Sequence, residues 1–443
     1  MKISIVGAGY VGLVSGACLA EKGHEVTCVD NDERKVSSIL ARKAPIHEAG
    51  LDDLLARHAG ARLRATADLA AAVAATDVTL IAVGTPAREG RIDTTYVEQA
   101  AREIGSAIRG KKSFHCVVVK STVVPGTTDG IVRRAIEEAS GKRVGEGFGL
   151  GMNPEFLTEG QAVADFMRPD RIVLGAADDE TRRLLRELYA GFANVPIVET
   201  NNSTAEMIKY ASNALLATMI SFTNELARLS SRLGDVDAID VMRGVHLSAY
   251  LTTRRDGQPP VLAPIASFLE PGCGFGGSCL PKDVTALIAH GDDHGIDMPL
   301  QRAVLAINRG QPDEVMRLLR KRLPDLDGVR VLVLGLTFKP DTDDLRESPA
   351  FPVIRLLKSA GAQVEAYDPL IKTSDHPDLR AIRLHQHLEQ ALEGAQAVVL
   401  ITRWAEFADL ARRLKAGGAS PVVIDGRRLL SPEQFDMYEG IGR

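Results

Sequence analysis

One thiol stands in an unusual setting, the stretch Gly274-Phe275-Gly276-Gly277-Ser278-Cys279-Leu280-Pro281-Lys282-Asp283. Proline is at home in the first turn of a helix, so Pro281 places Cys279 just before a helix N-terminus. Unpaired backbone amides and the positive end of the helix dipole there favour a thiolate, with Lys282 at hand to assist. The glycines beside it let a ligand approach the main chain closely, a clearance that a cysteine used only for packing does not need. An activated sulfur nucleophile is the chemistry this stretch offers.

Lys209 and Asn213 are four residues apart in a long helical pattern and share one face with Ala205, Ile208 and Ala214. A lysine and an amide on a largely apolar face are costly unless something pairs with them, and beside a carbonyl they would stabilise a developing alkoxide. Asn153-Pro-Glu155-Phe156-Leu157-Thr-Glu159-Gly sets two carboxylates four apart at a strand end, and Lys120-Ser121-Thr122 ends another strand with hydroxyls. Strand ends are where α/β sheets gather functional groups. In the C-terminal third, the stretch from Phe338-Lys339 to Asp344-Leu-Arg346 follows a strand and offers Lys339 and Arg346 to a phosphate.

Gly7-Ala-Gly9-Tyr10-Val11-Gly12 follows an apolar run and opens an apolar helix. The first glycine permits the tight turn, the second admits a pyrophosphate to the backbone, and the third allows close helix–strand packing. Asp30 ends the second strand, where a carboxylate would accept from adenosine ribose hydroxyls and repel a 2′-phosphate. NAD is therefore favoured over NADP.

These groups must be positioned by regular elements. Strands are expected at 3–6, 26–30, 78–83, 116–120, 149–152 and 172–174, alternating with helices at 11–22, 33–42, 67–75, 95–109 and 127–139. That alternation predicts a doubly wound, mostly parallel sheet. No proline or glycine interrupts 203–233, which reads as one helix of about 46 Å, long enough to join domains and to seek a second subunit. A mainly helical stretch continues to 323. Strands at 329–334, 364–367, 397–401 and 422–424 then predict a smaller nucleotide-binding-type domain without a glycine fingerprint of its own. The expected division is 1–200, 201–323 and 324–443, with 246–271 a loop.

The 443 residues suit about three domains. With 53 basic against 58 acidic side chains, no global field recruits nucleic acid or an anionic membrane. Five cysteines, at 18, 28, 116, 273 and 279, include no C-x-x-C pair, which argues against a disulfide framework or zinc site and for a reducing cytoplasm. Residues 3–20 form an uncharged run that could suggest a signal peptide or membrane span. Gly7, Gly9, Gly12 and Gly16 within it, and the strand-like 25–30 beyond, favour a strand, turn and helix instead.

Taken in order, the glycine fingerprint, Val83-Gly-Thr85-Pro86, Ser121-Thr122, Asn-Pro-Glu155-Phe-Leu-x-Glu159-Gly, Lys209-x-x-x-Asn213, Gly-Phe-Gly-Gly-Ser-Cys279 and Asp-Asp-Leu-Arg346-Glu-Ser resemble the nucleotide-sugar 6-dehydrogenase family over nearly the whole chain. The likeness is greatest to members that act on UDP-glucose, with GDP-mannose next. It implies a four-electron oxidation of a sugar C6 alcohol to a carboxylate, with two NAD used in turn; the long helix adds the expectation of a homodimer, and the cysteine usage that of a cytoplasmic protein. By the same resemblance Cys279 is the nucleophile that captures the aldehyde as a thiohemiacetal, which is then oxidised to a thioester. Lys209 would stabilise oxyanions, Asn213 orient sugar or water, and Asp283 position water and Lys209. Glu155 would be the acid/base of thioester hydrolysis, and Thr122 its water-positioning hydroxyl.

The cofactor matches are Gly7, Gly9, Tyr10, Val11, Gly12, Asp30 and Lys35, with Thr85, Pro86, Ser121, Thr122, Glu159 and Arg346. The sugar-nucleotide matches are Glu155, Phe156, Leu157, Glu159, Lys209 and Asn213, with Phe275, Gly276 and Lys339. No metal is implied. The chain departs from the family pattern at 246–266, which is longer than usual; either Arg254 or Arg255 could reach a neighbouring subunit's substrate. His47-Glu48-Ala49 stands where Tyr-Glu-Pro is common. Cys279-Leu-Pro and Glu347-Ser-Pro lean toward the GDP-mannose group. A two-electron β-hydroxyacid-type dehydrogenase and an NAD-binding sensor are the competing readings. The first would need neither Cys279 nor a third domain, and the second predicts no sugar turnover.

Overall fold

Short β-branched runs buried on both faces pair as a parallel sheet because both faces must be covered by helices. In the computed structural model, which describes residues 1–443, this gives β1 (Lys2–Val6), α1 (Tyr10–Glu21), β2 (Glu25–Val29), β3 (Leu63–Thr66), β4 (Val78–Ile81), β5 (Cys116–Val119), β6 (Gly149–Met152), β7 (Ile172–Ala176) and β8 (Ile197–Thr200). Their order is β8-β7-β6-β5-β4-β1-β2-β3, with Ile3 opposite both Val26 and Val78. Only β6 and β7 run antiparallel. The strand order reverses beside β1, which opens a crevice at the carboxyl ends of β1 and β4. The apolar run near the N-terminus is thus β1, its turn and α1, and no helix of the protein is long and apolar enough to cross a membrane.

The long helix, α2, spans Asn202–Leu233. The chain divides into two compact units, Met1–Ser212 and Asn213–Arg443, so this helix begins in one and ends in the other. In the second unit, α3 (Leu280–Asp293) and the helices Pro299–Arg309 and Gln311–Arg322 precede a six-stranded parallel sheet. Its strands are β9 (Arg330–Leu334), β10 (Gln363–Tyr367), β11 (Arg383–Leu384), β12 (Ala397–Leu400), β13 (Val422–Asp425) and β14 (Tyr438–Gly440), in the order β11-β10-β9-β12-β13-β14.

Some elements differ from expectation. Residues 246–271 are not simply a loop: they form a hairpin, Thr252–Thr253 with Val261–Leu262, and a 3-10 turn, Pro264–Phe268. Strands of two residues carry no legible period. The helix expected at 127–139 opens as a π-turn, Thr128–Val132, and is α-helical only over Arg133–Ser140. The short helices Leu51–His58 and Asp179–Leu188 and the edge strands β3 and β8 were not anticipated. β8 has two exposed apolar residues, Ile197 and Val198, instead of an alternating pattern.

Candidate active site

The glycine fingerprint is held by direct backbone contact. A Cβ on Gly12 would lie 1.8 Å from the Gly7 carbonyl oxygen, so no side chain fits there. A Cβ on Gly9, by contrast, would meet nothing within 4 Å. That open space at the start of α1 is the cradle a pyrophosphate requires, with helix amides facing it. Asp30 is buried at the end of β2, accepting from Ala8 N at 2.8 Å, Asp32 N at 2.9 Å and Lys35 Nζ at 3.4 Å. Oδ2 takes the Ala8 and Lys35 donors and Oδ1 only the Asp32 amide, so Oδ1 keeps lone-pair capacity for a ribose hydroxyl. These residues fit a dinucleotide.

Around the same crevice, Val11, Thr85, Thr122 and Glu159 are half-buried and Pro86 is exposed. The Tyr10 hydroxyl donates to Glu48 and accepts from Gly160 N at 2.9 Å, tying the segment after Glu159 to α1. Ser121, matched to cofactor binding, spends its hydroxyl on the Val83 and Ile81 carbonyls, at 2.7 and 3.2 Å. It staples strand ends.

At the carboxyl end of the sheet a buried ion pair joins Lys209 Nζ to Glu155 Oε1 at 2.9 Å. Glu155 Oε2 also accepts from Leu157 N at 2.7 Å. Burial drives the Glu155 carboxyl upward, but the Lys209 charge, the Leu157 amide and the Lys120 charge prevail and hold it below the usual carboxylate range. The Phe156 ring lies between cations, 5.6 Å from Lys209 Nζ and 4.0 Å from the Arg171 guanidinium. Three residues before Lys209, the fully buried Glu206 accepts from Gly126 N at 2.6 Å and from Thr128 N and Oγ1 at 2.8 and 2.6 Å.

In the second unit, Cys279 immediately precedes α3 and is half-buried, its Sγ 3.6 Å from Ser278 Oγ. Asp283, one turn on, is buried and accepts from Asn213 Nδ2 and Lys282 Nζ, each at 2.6 Å. The loop before Cys279 is clamped. Phe275 N donates to Asn308 Oδ1 at 2.8 Å, and Gly277 N donates to the Arg346 carbonyl at 3.0 Å. A Cβ on Gly276 would lie 2.1 Å from the Glu347 carbonyl oxygen. The Arg346 guanidinium pairs with Asp344, closest at 2.7 Å, and Lys339 lies 5.9 Å from the Phe338 ring. The structure thus gathers Cys279, Asp283 and Asn213, and places the Phe275–Gly277 main chain against the segment of Arg346.

Sequence reasoning gave no role to Lys120, Asn153, Glu48 or Glu206. A carboxylate at 206 on the apolar helix face of Lys209 was the available signal for the last. No group of His, Cys, Asp and Glu is arranged to hold a metal ion.

Sequence models of the UDP-glucose/GDP-mannose dehydrogenase family match this chain three times: the NAD binding domain over residues 1–193, the central domain over 203–310 and the UDP binding domain over 332–432. The UDP-glucose 6-dehydrogenase AglM of Haloferax volcanii is 44% identical over 446 residues, covering 100% of both chains. The GDP-mannose 6-dehydrogenase of Pseudomonas putida is 37% identical and covers 94% of each. The solved structure of a UDP-glucose dehydrogenase from the archaeon Pyrobaculum islandicum is 39% identical, with a TM-score of 0.89 over 99% of this chain and 97% of that one.

Proposed function

Because the chain belongs to the UDP-glucose/GDP-mannose dehydrogenase family, we propose that it oxidises the C6 alcohol of UDP-glucose to the carboxylate of UDP-glucuronate, in two NAD-dependent steps. The observation that carries this reading is Cys279 at the start of α3, in a loop with no room for a side chain at Gly276 and one turn from the Asp283–Asn213 pair. A dehydrogenase that stops at an aldehyde has no use for sulfur there.

Loss of a hydride from C6 and of the hydroxyl proton gives the aldehyde. Cys279 Sγ then bonds to that carbon, and the carbonyl oxygen takes a proton, forming a thiohemiacetal. Loss of a second hydride and of the new hydroxyl proton leaves a thioester. Water attacks it, the C–S bond breaks, and acid and thiol result. NAD, when bound, supplies the acceptor for each hydride, so two are consumed per sugar.

Lys209 stabilises the oxyanion as charge develops on oxygen. Glu155, kept ionised, takes a proton from the hydrolytic water, which the Thr122 hydroxyl orients. Asn213 and Asp283 orient the sugar and water. Gly7, Gly9, Gly12, Asp30, Lys35 and the Thr85-Pro86 turn hold the dinucleotide, and Phe275, Gly276 and Lys339 the sugar nucleotide. The working division is 1–200 for cofactor, 201–323 for the catalytic helices and 324–443 for the sugar nucleotide.

The protein works in the cytoplasm as a homodimer. Leu215, Phe222 and Leu229 recur every seven residues along α2 and are about half exposed, at 52, 48 and 56%. A second copy would cover that stripe.

The test is NADH counted per sugar, with UDP-glucose, UDP-N-acetyl sugars, GDP-mannose and dTDP-glucose. Two NADH per UDP-glucose, and no turnover in C279S, are expected. One NADH per sugar with C279S active would replace the proposal with a two-electron dehydrogenase.

A further inference from the structure

Lys120, directly after β5, is 3% exposed, yet its ammonium bonds to no carboxylate. It donates to Asn153 Oδ1 at 2.9 Å and to the Asn153 carbonyl at 3.5 Å, and lies 5.7 Å from the Phe166 ring. Burying an ammonium is costly, and a neutral donor would hold an amide oxygen equally well. Asn153 is itself fully engaged. It accepts from the Tyr189 hydroxyl at 2.5 Å, donates from Nδ2 to Val173 O at 2.9 Å and from its main chain to Val119 O at 2.9 Å. Two residues on stands Glu155, paired with Lys209.

We infer that Lys120 is a positioning residue for Glu155: through Asn153 it fixes the turn that carries the carboxylate, and it sets a second positive charge behind it. The inference rests on the proposed role of Glu155 as a base. The titratable groups facing this carboxylate are Lys209 from α2 and Lys120 from β5, with Tyr189 across Asn153. Two cations against one anion leave a surplus positive charge, suited to a site where an oxyanion develops. Burial pushes the Lys120 ammonium down to about 8, as a cation without a close anion requires.

The experiment compares K120M, K120Q and K120R with the wild type, whose turnover of UDP-glucose decides the proposed function first. In K120M and K120Q, kcat falls about tenfold and the acid limb of its pH profile moves to higher pH, because Glu155 loses a stabilising charge. K120R keeps the limb where the wild type has it. A folded neutral variant with an unmoved limb overturns the inference. Where neither neutral variant is soluble, a K120R acid limb that departs from that of the wild type overturns it. Independently of turnover, urea unfolding of K120M, E155Q and the double variant must give non-additive losses; additive losses overturn it.

Discussion

Asn213 Nδ2 donates to Asp283 Oδ2 across 2.6 Å, with both side chains buried. The bond ties α2 to α3 one turn after Cys279, and Lys282 Nζ completes the carboxylate's partners at 2.6 Å. Two donors from different elements thus converge on one side chain and fix its orientation beside the nucleophile.

D283N keeps the size and removes the charge. Lys282 loses its anion and Asn213 faces a second amide. A kcat loss of about 100-fold is expected, measured as NADH production. D283A leaves the Asn213 amide buried without an acceptor, and its unfolding free energy should drop by about 3 kcal/mol in urea titration.

G276A tests the clamp on the nucleophile's loop. The added methyl meets a main-chain oxygen, that of Glu347, and the neighbouring Gly277–Arg346 hydrogen bond leaves little freedom to yield. A loss of about 3 kcal/mol or more is expected, together with an altered rate of Cys279 alkylation by iodoacetamide. Wild-type stability and alkylation would show that the loop gives way freely.

The Asp30 carboxylate anchors the turn through Ala8 and Asp32 amides and remains able to accept from a ribose. D30A should raise KM for NAD roughly tenfold to a hundredfold, the worth of a hydrogen bond to a charged group, while the relative rate with NADP increases. Steady-state kinetics with both cofactors decide it.

What could be read from sequence was what neighbours along the chain determine. The Gly7–Gly12 turn, the start of α3 behind Cys279 and the extent of α2 depend on residues within one or two turns, so spacing was informative. The contacts that hold the candidate site depend on separation. Lys120 meets Asn153 across 33 residues, and Glu206 meets Thr128 across 78. Neither has a periodic signature. Ser121 shows the same dependence: that its hydroxyl donates to the Val83 carbonyl, 38 residues away, has no signature in the spacing of its neighbours.

Glu206 gives a pH-dependent stability that can be isolated. Its carboxyl is buried without a cation, and burial pushes it up to about 7, against the Thr128 and Gly126 donors that favour the charged form. A carboxyl raised in the folded state binds more protons there than in the unfolded chain. Its contribution to stability is therefore full below the ordinary Glu range and is lost as pH rises through about 7. E206Q cannot titrate. The stability advantage of wild type over E206Q should thus be largest near pH 5 and shrink toward pH 8, as read from urea midpoints. E206A, which leaves the Gly126 and Thr128 donors buried and unpaired, should be less stable than E206Q by about 2–4 kcal/mol at every pH. An advantage that instead grows with pH would mean that the three donors outweigh burial and that Glu206 is ionised throughout.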